Sequence, residues 1–233
     1  MLPFPVSPSN TAVLLIDLQK GYCDPHGDAA QTLGWDCHPL HEVCQRHLPF
    51  IKKLRKILPA PHLIWARFEE HEDTMAPNIP MKQDEVFHRL CLRGTPGFAY
   101  HLVSPLPLEA EVLKFHPSAF HKDARVHMIG APETNESHSL PDYLKSLNVD
   151  TLVFTGVLAT RCVYGSILGA SIFGFNCLCL SDLMAVPEGE VFQNELSAHE
   201  ITRNMFYAYP FESEEFLSLI TREGEDKNGK RSA

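Results

Sequence analysis

Three residue types that suit acyl transfer stand at the ends of apolar segments. Asp17 closes the run TAVLLIDLQ (residues 11–19), Lys114 stands near the end of AEVLKF (110–115), and Cys162 follows DTLVFTG (150–156). A thiol becomes a nucleophile when a base removes its proton, and a nearby cation or helix N-terminus lowers its pKa. An aspartate that accepts the proton and a lysine that supplies the cation would complete a nucleophilic site if the fold brings them together.

The segments around these residues predict an α/β fold. Continuous apolar runs are typical of parallel strands covered on both faces. Such runs occupy residues 11–19, 62–68, 110–115, 150–156 and 175–182. Helical periodicity occurs between and after them, at residues 39–58, 139–149, 160–174, 190–206 and 210–220. The alternation predicts a three-layer, doubly wound, mostly parallel sheet of about six strands with helices on both faces.

The predicted sheet places the three residues at one edge. The carboxyl ends of parallel strands share an edge, and ligands bind there. Thr160 is a candidate N-cap, which would put Cys162 in the first turn of its helix, where N–H groups and the helix dipole favour a thiolate. Each residue also has an ordinary interpretation, as a core thiol, a turn-forming aspartate or a solvated lysine. The residues alone leave both interpretations open.

Composition restricts the class of protein. The 233 residues carry a net charge of -9, which argues against the basic surface that nucleic acids require. No apolar run reaches the ~18 residues of a membrane span, and the first residues do not resemble a signal peptide. The seven cysteines are an odd number, typical of free thiols in the reducing cytoplasm. We expect one domain over residues 1–220, a flexible polar tail over 221–233, and a functional wall or lid in the irregular segment 69–108.

Five local sequences together resemble the isochorismatase-like cysteine hydrolase family. They occur in the family's order, between residues 12 and 206: AVLLIDLQKGYCDP, RGTPGFAY, VLKFHPSAF, LVFTGVLATRCVYGSILGASIFGF and the weaker AHEITRNMF. The resemblance implies that Cys162 is the nucleophile, Asp17 the acid/base and Lys114 the cation of a triad. It also implies a cis peptide bond between Val157 and Leu158, and an oxyanion hole made by the backbone N–H groups of Leu158 and Cys162.

The activity implied by the resemblance is hydrolysis of a small-molecule C–N bond in an amide, carbamoyl or ureido group, through a thioester. The resemblance implies no cofactor and no metal, and it implies a homo-oligomer. Two alternatives stay open: a catalytically silent binding or scaffold protein, and a metal-dependent nicotinamidase. The second would need a metal motif after the second strand, where Glu69 and His71 imitate only part of the pattern.

Three further residues are candidates for substrate binding. Arg67 could orient a substrate carboxylate through paired hydrogen bonds, although a structural ion pair is the competing interpretation. Phe120 could line the site or pack the loop after the lysine strand. Arg161, next to the nucleophile, could add positive potential or face solvent.

Overall fold

A seven-stranded sheet forms the centre of the protein. The computed structural model describes residues 2–69, 90–131, 138–188 and 207–229. The apolar runs form the central strands, which are buried along almost their whole length, whereas the edge strands are partly exposed. The strands are β1 (Thr11–Ile16), β2 (Leu63–Phe68), β3 (Ala110–Lys114), β4 (Arg125–Met128), β5 (Thr151–Val157), β6 (Asn176–Ala185) and β7 (Tyr209–Phe211).

The strand order confirms the doubly wound topology. It runs β4-β3-β2-β1-β5-β6-β7, and every neighbouring pair is parallel except β3 and β4. The sheet therefore has slightly more strands than the sequence predicts. The edge strands β4 and β7 were not predicted, because four and three residues are too few to show a period, and β7 contains Pro210, which edge strands tolerate.

Helices cover both faces of the sheet. Helix α3 lies between β1 and β2, and α5 lies between β5 and β6, so the two connections run in opposite directions across the sheet. Right-handed crossovers place such helices on opposite faces. The helices are α1 (Lys20–Cys23), α2 (Asp28–Leu33), α3 (His38–Ile57), α4 (Leu140–Ser146), α5 (Tyr164–Ile172) and α6 (Ser213–Gly229).

A glycine allows the two central strands to meet closely at their carboxyl ends. Gly156 has a φ of 109°, and a Cβ atom there would lie 2.1 Å from the Ile16 carbonyl oxygen. Any side chain would therefore separate β5 from β1 or distort one of them. The close approach brings the residue after β1, Asp17, towards the segment that follows β5 and carries Cys162.

Several predictions concern other parts of the chain. The last helix continues through Gly229, beyond the predicted start of a flexible tail at residue 221, since no proline interrupts TREGEDKNG. The predicted helix 190–206, His71 and most of the irregular segment 69–108 lie outside the described residues. In the described part of the chain, no helix combines the length and apolarity needed to span a membrane.

Candidate active site

Asp17 and Lys114 form a buried ion pair at the carboxyl edge of the sheet. Lys114 Nζ donates to Asp17 Oδ2 over 2.8 Å, and neither side chain is exposed by more than 1%. The Asp17 backbone has a φ of 52°, in the left-handed region, and its N–H donates to the Ala66 carbonyl. Aspartate is among the few residues that tolerate this conformation, so the turn after β1 suits the residue that it carries.

Burial and mutual attraction act in opposite directions on this pair. Burial raises the pKa of Asp17, the neighbouring Lys114 and Cys162 oppose it, and the net pKa lies above the usual value. Burial lowers the pKa of Lys114, but the Asp17 carboxylate, with a smaller contribution from Cys162, outweighs burial and the net pKa is raised. Lys114 is therefore a permanent cation, and Asp17 is a stronger base than an exposed aspartate.

Cys162 lies in a π-helical turn, Ala159–Val163, between β5 and α5. Helix α5 begins at Tyr164, and the residue before it, Val163, makes no side-chain cap, so the prediction of an α-helix capped by Thr160 is wrong. Ser166 joins this turn to the loop after β3, since its hydroxyl donates to the Cys162 carbonyl and accepts from the Ala119 N–H. Single π-helical turns are frequent at functional sites.

The thiol of Cys162 is protonated at neutral pH. Burial raises its pKa from 9.0 to about 12, the Asp17 carboxylate adds to the increase, and the Lys114 ammonium group opposes it. The cation does lower this pKa, as the sequence predicts, but burial and Asp17 outweigh it, so the expected thiolate is not the resting form. Asp17 Oδ1 has no partner at regular hydrogen-bond geometry among the described residues, but the Cys162 thiol is close enough to the carboxyl group to lower its pKa. This buried oxygen is available to take a proton.

The Leu158 carbonyl organises the turn that carries the thiol. The Leu158 carbonyl accepts the N–H groups of Arg161 and Val163, which flank Cys162. Within the described ranges the Leu158 N–H donates no backbone hydrogen bond. The Val157–Leu158 peptide bond is cis. The residues that the resemblance assigns to an oxyanion hole thus lie together beside the thiol.

Gln19 fixes one wall of the site. Its side chain exchanges hydrogen bonds with the backbone of Phe68, at 2.8 and 2.9 Å, and donates to the Phe98 carbonyl at 3.3 Å. The Phe68 ring lies 4.4 Å from Lys114 Nζ, in cation–π contact. The segment RGTPGFAY is held next to β1 by this glutamine, so this part of the irregular segment forms a wall of the site.

Arg67 forms the structural ion pair that the sequence left as an alternative. Its Nη2 donates to Glu111 Oε2 over 2.7 Å, and its guanidinium lies 4.0 Å from the centre of the Phe98 ring. Because Glu111 neutralises its charge, Arg67 does not present a free cation to a substrate carboxylate. Among the described residues its Nε has no acceptor.

Glu69 is also engaged in a paired interaction. Its two carboxylate oxygens accept Arg93 Nε and Nη2 over 2.9 and 2.7 Å. A carboxylate held in this way fits poorly as a metal ligand, since both oxygens already face a guanidinium. Within the described ranges no three His, Cys, Asp or Glu side chains are arranged to hold a metal ion.

A family model decides the relationship of this chain to known proteins. The model described as Isochorismatase domain matches residues 11–205. The chain belongs to the isochorismatase family. The matched range contains Asp17, Lys114 and Cys162. It agrees with the resemblance drawn from the local sequences.

Solved structures of isochorismatase-like proteins share the fold. A cysteine hydrolase from Pseudomonas syringae pv. phaseolicola has a TM-score of 0.73 at 17% identity, covering 96% of this chain and 98% of that one. An isochorismatase-like hydrolase from Alkaliphilus metalliredigens has a TM-score of 0.64 at 17% identity, with 91% and 97% covered. N-carbamoylsarcosine amidase from Thermoplasma acidophilum has a TM-score of 0.56 at 17% identity, with 88% and 96% covered. A search of curated proteins finds no match.

In this isochorismatase-family chain, the other two candidate substrate-binding residues, Phe120 and Arg161, lie in different parts of the structure. Phe120 is buried, and its ring packs against Phe173 and Phe175, beyond the C-terminal end of α5, whereas Cys162 precedes the helix. The packing interpretation is therefore the one that the structure favours for Phe120. Arg161 is half-buried in the π-helical turn directly before Cys162.

Sequence reasoning missed the role of Glu111. Its position in AEVLKF, three residues before Lys114, indicated only a strand, although a charged residue in an apolar run is a signal of a buried ion pair. Gln19 was noticed only as part of the isochorismatase-like pattern that follows Asp17. Its contacts with β2 depend on the tertiary fold.

Proposed function

We propose that this isochorismatase-family protein is a cysteine hydrolase that cleaves the C–N bond of a small amide, carbamoyl or ureido compound. Cys162 is the nucleophile, Asp17 the general acid and base, and Lys114 the cation that orients Asp17. The observation that carries the proposal is the buried Lys114–Asp17 pair, whose carboxyl group interacts with a buried, protonated Cys162 thiol.

The first half of the reaction forms a thioester. Asp17 accepts the Cys162 proton as the sulfur attacks the carbonyl carbon. The oxygen that becomes negative accepts hydrogen bonds from the N–H groups of Leu158 and Cys162. When the tetrahedral intermediate collapses, the C–N bond breaks and the departing nitrogen takes the proton from Asp17. Ammonia or an amine leaves, and the acyl group stays on sulfur.

Water completes the cycle. Asp17, again a carboxylate, accepts a proton from a water molecule that attacks the thioester carbon. The C–S bond then breaks, and the sulfur recovers the proton from Asp17, so that an acid or a carbamate is released and the thiol is restored. Lys114 remains protonated throughout because its pKa is raised, and its fixed charge holds Asp17 Oδ2 in place.

The two alternative functions predict different behaviour. A silent binding protein would bind small molecules at the same site without turnover. A metal-dependent nicotinamidase would lose activity on chelation, whereas the proposed mechanism routes no step through a metal. The paired Glu69 and Arg93 favour the proposal over the metal-dependent alternative.

Ammonia release from a panel of amides, N-carbamoyl amino acids, ureides and nicotinamide tests the proposal. The Cys162→Ala variant should lose turnover, whereas Cys177→Ala, which removes a buried thiol on β6, should keep it. Activity should survive treatment with a chelator. Full hydrolysis by Cys162→Ala, or no turnover of any compound by the wild-type protein, would contradict the proposed function.

The compartment and the assembly belong to the same proposal. All seven cysteines are free thiols, which supports a reducing cytoplasm as the site of action. Ile172 and Phe173 are exposed at the end of α5, which supports a homo-oligomer that covers them. Sedimentation measurements test the assembly, and a monomer at working concentration would contradict it.

A further inference from the structure

Glu111 is a buried carboxylate that accepts hydrogen bonds from three side chains. Its oxygens accept Tyr100 Oη over 2.6 Å, Arg67 Nη2 over 2.7 Å and His127 Nε2 over 2.9 Å, and its side chain is only 2% exposed. Burial by itself raises the pKa of Glu111, but the bonds from His127, Tyr100 and Arg67 outweigh burial and the net pKa lies below the usual value. Glu111 is therefore a fixed negative charge inside the protein.

One of these donors, Tyr100, belongs to the wall of the candidate active site, and another, Arg67, packs against it. The Arg67 guanidinium lies over the rings of Phe98 and Tyr100, at 4.0 and 5.2 Å. Tyr100 pairs with Gln19 in an isolated antiparallel bridge. Glu111 thus holds both the arginine that supports the wall and the tyrosine that joins the wall to β1.

The wall segment is connected through Gln19 to the residues around Asp17 and Lys114. Gln19 is two residues after Asp17 and binds the backbone of Phe68, whose ring covers Lys114 Nζ. The Asp17 carboxylate is also one of the charges that raise the pKa of Tyr100, after burial and Glu111. A continuous chain of contacts therefore leads from Glu111 to the Asp17–Lys114 pair.

We infer that Glu111 is a positioning residue for the candidate active site, which sets the placement of Asp17 through Arg67, Tyr100 and Gln19. The inference rests on the proposed function, in which Asp17 moves the proton. Glu111 touches neither the thiol nor the substrate in this role. Its loss should misplace the base, and a misplacement of about 1 Å can cost about 10²-fold in rate.

The same strand face offers a matched control. Glu109 is also buried, and it accepts Arg55 Nε over 2.7 Å and Trp65 Nε1 over 2.8 Å. It directly precedes β3, and its partners lie on α3 and in the middle of β2. Glu109→Gln therefore breaks a comparable buried ion pair but keeps the Glu111 bonds to Arg67 and Tyr100, and it is linked to Tyr100 one step further away, through the edge-to-face contact of the Trp65 ring.

The test compares Glu111→Gln, Glu111→Asp and Glu109→Gln in the full chain. With the substrate that the panel identifies, Glu111→Gln should lower kcat about 10²-fold with KM little changed, because an interaction made in the transition state is lost. Glu111→Asp keeps the charge and should recover part of kcat. Glu109→Gln should lower the Tm about as much as Glu111→Gln and leave kcat near the wild-type value.

Alkylation by iodoacetamide gives a readout that needs no substrate. In Glu111→Gln the rate of labelling at Cys162, measured on peptides by mass spectrometry, should rise about tenfold, because a displaced Asp17 raises the pKa of the thiol less and more thiolate is present. The other buried cysteines report general opening of the fold in the same samples. Equal changes in kcat or in Cys162 labelling for Glu111→Gln and Glu109→Gln would overturn the inference.

Failure of the proposed function would be recognised separately. If the wild-type protein hydrolyses no compound of the panel, the function is wrong. Labelling of Cys162 still decides whether Glu111 positions its base. A selective change in the Glu111 variants supports the positioning role, and a change shared with Glu109→Gln refutes it.

Discussion

Asp17→Asn tests the central feature of the proposed mechanism, in which a protonated thiol is activated by a neighbouring carboxylate. Burial and Asp17 raise the pKa of Cys162 from 9.0 to about 12. At about 1.36 kcal/mol per pH unit, the difference makes ionisation about 4 kcal/mol harder. A positioned general base contributes about 10²–10⁴-fold, equivalent to about 2.7–5.4 kcal/mol. The rate gain expected from the proposed base therefore corresponds to a free energy about as large as the extra cost of ionising the buried thiol.

The substitution should lower kcat and at the same time raise the fraction of Cys162 that is thiolate. Asparagine cannot accept the thiol proton, so kcat should fall by about 10³-fold. Asparagine is also neutral, so the carboxylate that raises the pKa of Cys162 is gone while Lys114 remains, and the pKa of the thiol should fall below about 12. The variant should hold more thiolate than the wild-type protein and turn over less substrate.

The measurements are steady-state hydrolysis and a titration of thiolate absorbance. The second is taken as the difference between Asp17→Asn and the same variant carrying Cys162→Ser, which removes the signal of the other cysteines. A kcat within about tenfold of the wild-type value would refute the role of Asp17 as the base. A pKa that stays at about 12 would refute the electrostatic account of the thiol.

The remaining predictions concern stability. Lys114→Met leaves the Asp17 carboxylate buried without its partner and should lower the free energy of unfolding by about 3–5 kcal/mol, measured by urea unfolding. A free energy of unfolding equal to that of the wild type would mean that water screens the pair. Burial lowers the pKa of His47 from 6.5 to about 4, so stability should fall by about 3 kcal/mol as the pH falls through that window. The loss should be smaller in His47→Gln, and an unchanged acid profile would contradict this. Gly169→Ala should cost about 1–3 kcal/mol, because its Cβ would lie 2.6 Å from Ser118 Oγ, but Gly165→Ala, with its nearest contact at 3.6 Å, should not.

Several features of the fold could be predicted from the sequence because they depend on local order. The apolar runs that became β1, β2, β3, β5 and β6 identified the strands, and their alternation with helices identified the doubly wound sheet. The start of α3 was also predictable, since Pro39 stands in its first turn. The short edge strands β4 and β7 were not, because their existence depends on a neighbouring strand that supplies hydrogen bonds.

The candidate site also has features that the sequence predicts and features that depend on tertiary structure. The sequence placed an aspartate, a lysine and a cysteine at strand ends, and the carboxyl edge of a parallel sheet brings such ends together. It could not predict that Arg67 pairs with Glu111 or that Glu69 pairs with Arg93, because each of these side chains had several partners available in the sequence.

The chemical groups, their order and the edge at which they meet were thus set by the order of residues along the chain. The protonation state of Cys162 and the engagement of Arg67 were decided by tertiary structure. The physical reason is that a pKa depends on desolvation and on the distances between charges, and both are fixed only when separate strands pack together. A sequence that indicated a thiolate therefore folds into a site in which the thiol is buried and protonated, and Asp17 is the base that we propose for it.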